Sequence, residues 1–172
     1  MWLQSGIKPP TSVKHTIGSK KVLIAVIWSP SGMKSITMLP DGDRFTKKIF
    51  IGTVLGDLQN YFDIHRASMK GSGIILHIDN ASSHHVNDEL KRAGIKRMEH
   101  LPYSPDLAPS DFFLFGFLKT NLEGKHFDSA EELLDWVKNF LNSIDIEMLR
   151  NVYIEWILRL QQWVDSGGEY VH

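Results

Sequence analysis

One run of residues restricts the fold of this chain more than any other, the apolar segment Val22-Leu-Ile-Ala-Val-Ile-Trp28. It is rich in β-branched side chains and does not alternate between polar and apolar residues, which is typical of a strand buried on both faces. Turn residues follow at 29–32, and a second strand is predicted at 33–39, so the two strands form a hairpin. A strand of this kind needs a packed layer on each side.

The rest of the chain contains further strands and several amphipathic helices. Apolar residues recur at helical spacing over 43–63 and 145–164, and Ser129-Ala-Glu-Glu132 is a capping box that starts another helix. A short apolar strand at Ile74–Ile78 ends in Asp79-Asn80. The remaining predicted elements are a helix at 84–93 capped by Ser82 or Ser83, a weak strand at 95–100, an irregular Pro-rich segment at 101–110, and a helix from Asp111 to about 121 capped by Ser110.

This order of elements predicts an α/β fold, with a mixed sheet flanked by helices. At 172 residues the chain has the length of one domain, which we expect to span residues 21–172. Residues 1–20 are rich in Pro, Ser, Thr and Lys without periodicity, so we expect an extended arm or loop there.

Composition excludes several classes of protein. Nineteen Lys and Arg against 20 Asp and Glu give a net charge of -1, whereas a protein that binds nucleic acid only by neutralising phosphates should be basic. The absence of cysteine removes disulfides and thiolate metal sites, and fits a reducing compartment. No apolar run is long enough to cross a membrane, and the first residues do not form a signal peptide.

Two aspartates stand where an α/β protein places chemistry. Asp79 follows the carboxyl end of a buried strand, and Asp111 lies in the first turn of a later helix. Carboxylates held on rigid elements bind hard cations such as Mg²⁺ or Mn²⁺. Two such ions can stabilise the attacking and the leaving oxygen when a phosphodiester bond is cleaved. The alternative is structural, with Asp79 capping a turn and Asp111 placed favourably at a helix N-terminus.

Other candidates near these aspartates each have a structural alternative. His77, His84 and Asp79 form a conceivable transition-metal site, but His84 is equally suited to bracing a loop and His77 to packing. Asn80 can hydrogen-bond to a water on a metal or shape its turn, and Asp106 is a rival of Asp111 that we interpret as bracing its loop. An aromatic cluster could stack on DNA bases, but aromatic residues this dense on a helix more often form core: Phe112, Phe113, Phe115 and Phe117. Several basic pairs could line a path for DNA, but such pairs are more often solvated surface: Lys47-Lys48, Lys91-Arg92 and Lys96-Arg97.

The sequence around the two aspartates resembles that of the catalytic domain of mariner-type transposases. The resemblance lies in His77-Ile-Asp-Asn-Ala-Ser-Ser-His84 and, with high specificity, in Tyr103-Ser-Pro-Asp-Leu-Ala-Pro-Ser-Asp111. It extends to Gly124-Lys-His-Phe-Asp-Ser129 and to Trp163-Val-Asp-Ser-Gly-Gly-Glu-Tyr170. The similarity therefore covers nearly the whole chain from about residue 20.

The resemblance implies an RNase H-like fold with three catalytic acids, of which Asp79 matches the second and Asp111 the third. It implies Mg²⁺ or Mn²⁺ as cofactor, transposon ends and target DNA as partners, and cleavage and strand transfer of phosphodiesters as the activity. Asn80 and His84 are candidates for supporting the ligands. The interval between the two acids is a few residues shorter than usual. The family's first acid and first strand lie upstream of the hairpin, so we expect an incomplete site with impaired activity.

Two further expectations follow from this resemblance. Strand 22–28 would gain an exposed edge without a preceding strand, so we expect residues 1–20 or a second copy of the chain to cover it, the latter giving a homodimer. The alternative function is a catalytically inactive DNA-binding or interaction module derived from a transposase. We expect an intracellular location, in the nucleus if the source is eukaryotic, and no membrane association.

Overall fold

The computed structural model describes residues 22–39, 47–65, 73–78 and 86–168. Its first two strands, β1 (Ile24–Ser29) and β2 (Gly32–Met38), form the predicted antiparallel hairpin. The tight turn joins Ser29 to Gly32, whose φ of 110° is a conformation that glycine adopts without strain. The pairing shifts by one residue between Ile27 and Trp28, and the hairpin extends past its end through a hydrogen bond from Leu39 N to Leu23 O.

Two more strands, β3 (Ile74–His77) and β4 (Ile95–Met98), pair in parallel and are connected through α3 (Asn87–Arg92). The described strands therefore form two two-stranded sheets. The remaining helical segments, in chain order, are α1 (Lys47–Ile49), a π-helical segment (Phe50–Leu55), α2 (Gly56–His65), a 3-10 turn (Pro105–Leu107), a π-helical turn (Ser110–Leu114), α4 (Phe115–Leu122), α5 (Ala130–Asn142) and α6 (Ile146–Asp165).

The hairpin strand β1 lies between two hydrophobic cores, as its apolar sequence predicts. Leu23, Ala25 and Ile27 pack against a core formed by α2, α3 and their neighbours. Ile24, Val26 and Trp28 point the other way, into a core formed by α4, α5 and the start of α6. The alternation of side chains along a strand thus carries one strand into both cores. Leu58 and Leu90 are almost fully buried in the first core, and Leu114 and Leu141 in the second.

An apolar slot separates β1 from β3. Three cavities of about 300, 370 and 370 Å³ follow one another along these two strands and share lining residues. The start of β1 faces Ile78 and the end of β1 faces Ile74, so the two strands run antiparallel across the slot. Each strand is hydrogen-bonded to a partner along one edge only within the described residues. Within this part of the chain, β1 thus has the edge without a strand partner that the sequence predicts, and β3 has one as well.

Several predicted boundaries are confirmed. Ser129 caps α5 by accepting from Glu132 N at 3.0 Å, while the Glu132 carboxylate accepts from Asp128 N at 2.7 Å. At the other end of the chain, α6 stops before Gly167 and Gly168, which have φ of 70° and 90°. Their amides bond to carbonyls of the last turn, which is a normal helix ending.

Other boundaries differ. The helix predicted at 84–93 spans Asn87–Arg92, and Val86 at its cap position makes no side-chain cap hydrogen bond. The predicted caps Ser82 and Ser83 lie outside the described residues. The irregular segment 101–110 contains one 3-10 turn, Pro105–Leu107. Residues 1–20 and the start of the helix predicted at 43–63 also lie outside the described residues, and the described part of that helix continues to His65.

Candidate active site

Asp111 lies in a π-helical turn that joins the Pro-rich loop to α4. The turn runs from Ser110 to Leu114, and the Asp111 side chain is exposed. Its amide donates to Ala108 O at 2.9 Å, and the amide of Phe112 donates to the same carbonyl at 3.0 Å. The prediction that Ser110 caps this helix is wrong, because Pro109 occupies the cap position and the Ser110 hydroxyl accepts from Trp28 Nε1 at 3.1 Å instead.

Asp111 shares a cavity with the carboxyl end of β3. The first cavity of the slot, about 300 Å³ in volume, is lined by Ser110 and Asp111 on one side and by His77 and Ile78 on the other. Its remaining wall is apolar, and residues 24–27 of β1 form part of it. The structure therefore brings the predicted third acid to the strand end after which the predicted second acid follows in the sequence.

The other predicted site residues, Asp79, Asn80 and His84, lie outside the described residues. Among the residues that the structure describes, no group of three or more His, Cys, Asp or Glu side chains is arranged to hold a metal ion. Asp111 itself fits Mg²⁺ or Mn²⁺ by its chemistry, since an exposed carboxylate offers the hard oxygen ligands that these ions prefer.

His77 belongs to a small cluster that the sequence does not predict. Its Nε2 lies 3.1 Å from Nδ1 of His100, and its ring centroid lies 5.0 Å from that of Trp156. The imidazole thus packs between β4 and α6. This arrangement matches the structural interpretation of His77, as a side chain packed beside the site.

Three distant side chains anchor the loop that carries Asp111. Trp28 on β1 bonds to Ser110, Trp156 on α6 donates from its indole to Leu107 O at 2.8 Å, and Arg159 on α6 donates from Nη1 to Asp106 O at 3.1 Å. Helical spacing predicts Trp156 only as a core residue and gives no signal for Arg159. Their contacts lie 49 and 53 residues away in the chain, so no local pattern indicates them.

The aromatic residues after Asp111 divide between the core and the surface. Phe113 and Phe117 stack with ring centroids 5.4 Å apart and belong to the second core, as predicted for most of this cluster. Phe115 is 47% exposed and lines the cavity next to Asp111. Phe112 lies beneath the guanidinium of Arg159, whose Cζ is 4.1 Å from the ring centroid.

Comparison with known proteins identifies relatives along nearly the whole chain. The human histone-lysine N-methyltransferase SETMAR is 27% identical over 172 residues, which cover 98% of this chain and 25% of that protein. The mariner Mos1 transposase of Drosophila mauritiana is 29% identical over 164 residues, which cover 88% of this chain and 45% of that protein. The chain thus spans less than half the length of either relative. No protein-family model matches it.

Solved structures give the same result for the fold. The Mos1 transposase catalytic domain, solved with raltegravir and Mg, superposes with a TM-score of 0.79 at 28% identity and covers 89% of this chain and 78% of its own. The Mos1 mariner paired-end complex with Mn superposes with a TM-score of 0.80 at 26% identity and covers 100% of this chain and 51% of its own.

These matches confirm the RNase H-like α/β fold that the motifs imply. No helix in the described part of the chain combines the length and the apolarity that crossing a membrane requires. In both sequence and fold, this chain is similar to the catalytic domain of the mariner Mos1 transposase.

Proposed function

We propose that this chain is the catalytic domain of a mariner-like DNA transposase, with Asp79 and Asp111 as ligands for Mg²⁺ or Mn²⁺. Its reaction is cleavage of phosphodiester bonds at transposon ends, followed by transfer of the freed 3′ end to target DNA. Asp79 and Asn80 follow Ile78 directly in the sequence. We assign Asn80 and His84 to supporting the ligands.

The observation that carries this proposal is the cavity shared by Asp111 and the end of β3. Asp111 comes from the turn before α4, and Ile78 directly follows β3, yet both line the same 300 Å³ space. A helix start and a strand end are rigid supports, so a carboxylate next in sequence to Ile78 is a natural partner for Asp111. Fixed carboxylate pairs are suited to holding hard divalent cations.

In such a site the work of this chain is to position charge. Asp79 and Asp111 would hold the cations beside the phosphate, and the bound ions would supply positive charge where negative charge develops on its oxygens. The walls of the cavity beside Asp111 consist mainly of apolar side chains, including Phe115.

The similar proteins support the metal and DNA parts of the proposal. A Mos1 catalytic domain is solved with Mg, and a Mos1 paired-end complex is solved with Mn. The chain itself carries exposed basic residues on α3 and at the start of β4, Lys91, Arg92 and Lys96, which offer a local positive surface despite its net charge of -1. If the source is eukaryotic, a DNA substrate places the action of the chain in the nucleus.

The first test is metal binding by the 172-residue chain. Isothermal titration with Mn²⁺ should show affinity reduced by about tenfold or more in Asp79→Asn and in Asp111→Asn, since each loses a charged ligand. Asp135→Asn, which removes an exposed carboxylate from α5, is the matched control and should bind as the unaltered chain does. Unchanged affinity in Asp111→Asn would contradict the metal assignment.

Activity separates the transposase proposal from the inactive alternative. We expect slow Mn²⁺-dependent nicking of supercoiled plasmid that disappears in both Asp79→Asn and Asp111→Asn. Nicking that survives both substitutions would place the cleavage site elsewhere. Metal binding at these aspartates without any nicking would favour a DNA-binding or interaction module that has lost its chemistry.

A further inference from the structure

We propose that Arg159 and Trp156 of α6 are positioning residues for Asp111, holding its carboxylate at the distance from the end of β3 that metal binding requires. This inference rests on the proposed function, because it takes Asp111 to be a metal ligand. It assigns a role to two side chains of the C-terminal helix, neither of which is a candidate metal ligand.

Trp156 contacts both segments that line the proposed metal site. Its indole is 6% exposed and donates from Nε1 to Leu107 O at 2.8 Å, in the loop four residues before Asp111. The face of the same ring packs against His77 at the end of β3, with centroids 5.0 Å apart. One rigid, buried side chain therefore fixes the loop of Asp111 relative to the strand that leads to Asp79.

Arg159, one helical turn further on, contacts the chain on both sides of Asp111. Its Nη1 donates to Asp106 O at 3.1 Å, and its guanidinium covers the ring of Phe112 with Cζ 4.1 Å from the centroid. Phe112 is the residue immediately after Asp111. The guanidinium also forms an ion pair with Glu155 on the same helix, which limits the rotamers of the arginine.

These contacts matter because Asp111 itself is exposed and lies in a π-helical turn. The turn begins from Ala108 O, which accepts the amides of both Asp111 and Phe112, and Ala108 directly follows the carbonyl that Trp156 holds. A shift of the loop by a fraction of an ångström would thus move the Asp111 carboxylate. Partners that orient metal ligands in this way commonly contribute as much to affinity as a weak ligand.

The test is a double-mutant cycle on Mn²⁺ affinity in the 172-residue chain. Arg159→Met keeps the apolar stem but removes the donor and the stacking plane, and we expect about tenfold weaker Mn²⁺ binding. In the Asp111→Asn background the same substitution should leave the remaining affinity unchanged, since the group that Arg159 positions is already lost. Trp156→Phe, which keeps a ring against His77 but removes the indole donor, should behave in the same way.

Controls separate positioning from folding. Arg159→Lys retains a donor and a charge and should recover part of the affinity, whereas Glu155→Gln breaks the ion pair without touching the loop and should have a smaller effect. Thermal unfolding of each variant shows whether the folded fraction is unchanged at the temperature of the titration. Folded Arg159→Met and Trp156→Phe variants with unaltered Mn²⁺ affinity would overturn this inference, while unaltered affinity in Asp111→Asn would instead overturn the proposed function.

Discussion

At the residue scale, the Pro-rich loop before Asp111 contains a residue, Tyr103, in the left-handed backbone conformation. Tyr103 begins the most specific motif of the chain, has φ of 58°, and exposes 97% of its surface. The left-handed region is costly for residues with a Cβ, and a side chain this exposed gains little from packing. The chain therefore retains local strain at the start of the loop that carries Asp111.

Replacing Tyr103 with Asn should relieve that strain. Asn tolerates the left-handed conformation better than Tyr, so we expect Tyr103→Asn to raise the free energy of unfolding by about 0.5–1 kcal/mol. Tyr103→Ala is the control, because Ala keeps the conformational penalty and should give no gain. Chemical denaturation measures both, and equal stabilities of the two variants would contradict the explanation.

The sequence names candidate ligands but not the side chains that support them. Asp79 and Asp111 are predicted from strand and helix ends and from the surrounding motifs, and Asp111 lines a cavity together with Ile78, which follows β3. Ser110 illustrates the limit, since its hydroxyl satisfies Trp28, 82 residues away, rather than the helix that follows it. The sequence shows that a hydroxyl is available to cap a helix. Whether it bonds to the helix or to a distant side chain such as Trp28 depends on the tertiary structure.

At the element scale, helix ends follow the sequence closely wherever capping side chains are present. Ser129 and Glu132 satisfy backbone amides at the start of α5, and Asp145 accepts from Glu147 N at 3.0 Å at the start of α6. The start of α3 has no such signal within the described residues, where α3 begins at Asn87 after an uncapped Val86. The π-helical segments were not predicted, because hydrophobic periodicity hardly distinguishes them from an α-helix.

The cap of α5 can be tested directly. Ser129→Ala should lower the free energy of unfolding by about 1 kcal/mol, since it leaves the Glu132 amide without its acceptor. Ser129→Asp, which preserves an oxygen acceptor and adds a favourable charge at a helix N-terminus, should retain full stability. Thermal unfolding followed by circular dichroism distinguishes the two, and equal losses in both variants would show that the hydroxyl does not act as a cap.

At the scale of the whole molecule, β1 is the element that unites the fold. Its alternate side chains enter the core of α2 and α3 on one face and the core of α4 and α5 on the other. The apolar run at 22–28 predicts this two-sided burial from sequence alone. The sequence predicts an exposed edge of β1 but not the slot between β1 and β3. The position of one sheet edge relative to another depends on how all the surrounding helices pack, which no local pattern encodes.

A shared strand predicts that the two cores unfold together. Leu58→Ala in the first core and Leu141→Ala in the second should each cost about 2–5 kcal/mol, and each should shift one common transition. Tryptophan fluorescence and circular dichroism recorded on the same denaturant series test this. Transitions that separate in either variant would show that the cores are independent units.

The slot also predicts self-association. Unpaired strand edges beside apolar walls favour pairing with another chain, so we expect a dimer at micromolar concentration by size exclusion with light scattering. Ile75→Lys places a charge at an exposed position of β3 and should shift the chain to monomer. Ile64→Lys, at an even more exposed site on α2, should leave the dimer intact. A monomeric unaltered chain would exclude this mode of association.

The anchoring of the Asp111 loop by indole side chains has an optical consequence. Of the five tryptophans in the chain, Trp28 and Trp156 donate hydrogen bonds to that loop. Indole emission depends on hydrogen bonding and on the polarity around the ring, so movement of the loop changes the intrinsic fluorescence without any added label. The protein thus carries its own spectroscopic reporter of the geometry around Asp111, readable in real time during a rapid-mixing experiment with metal or DNA.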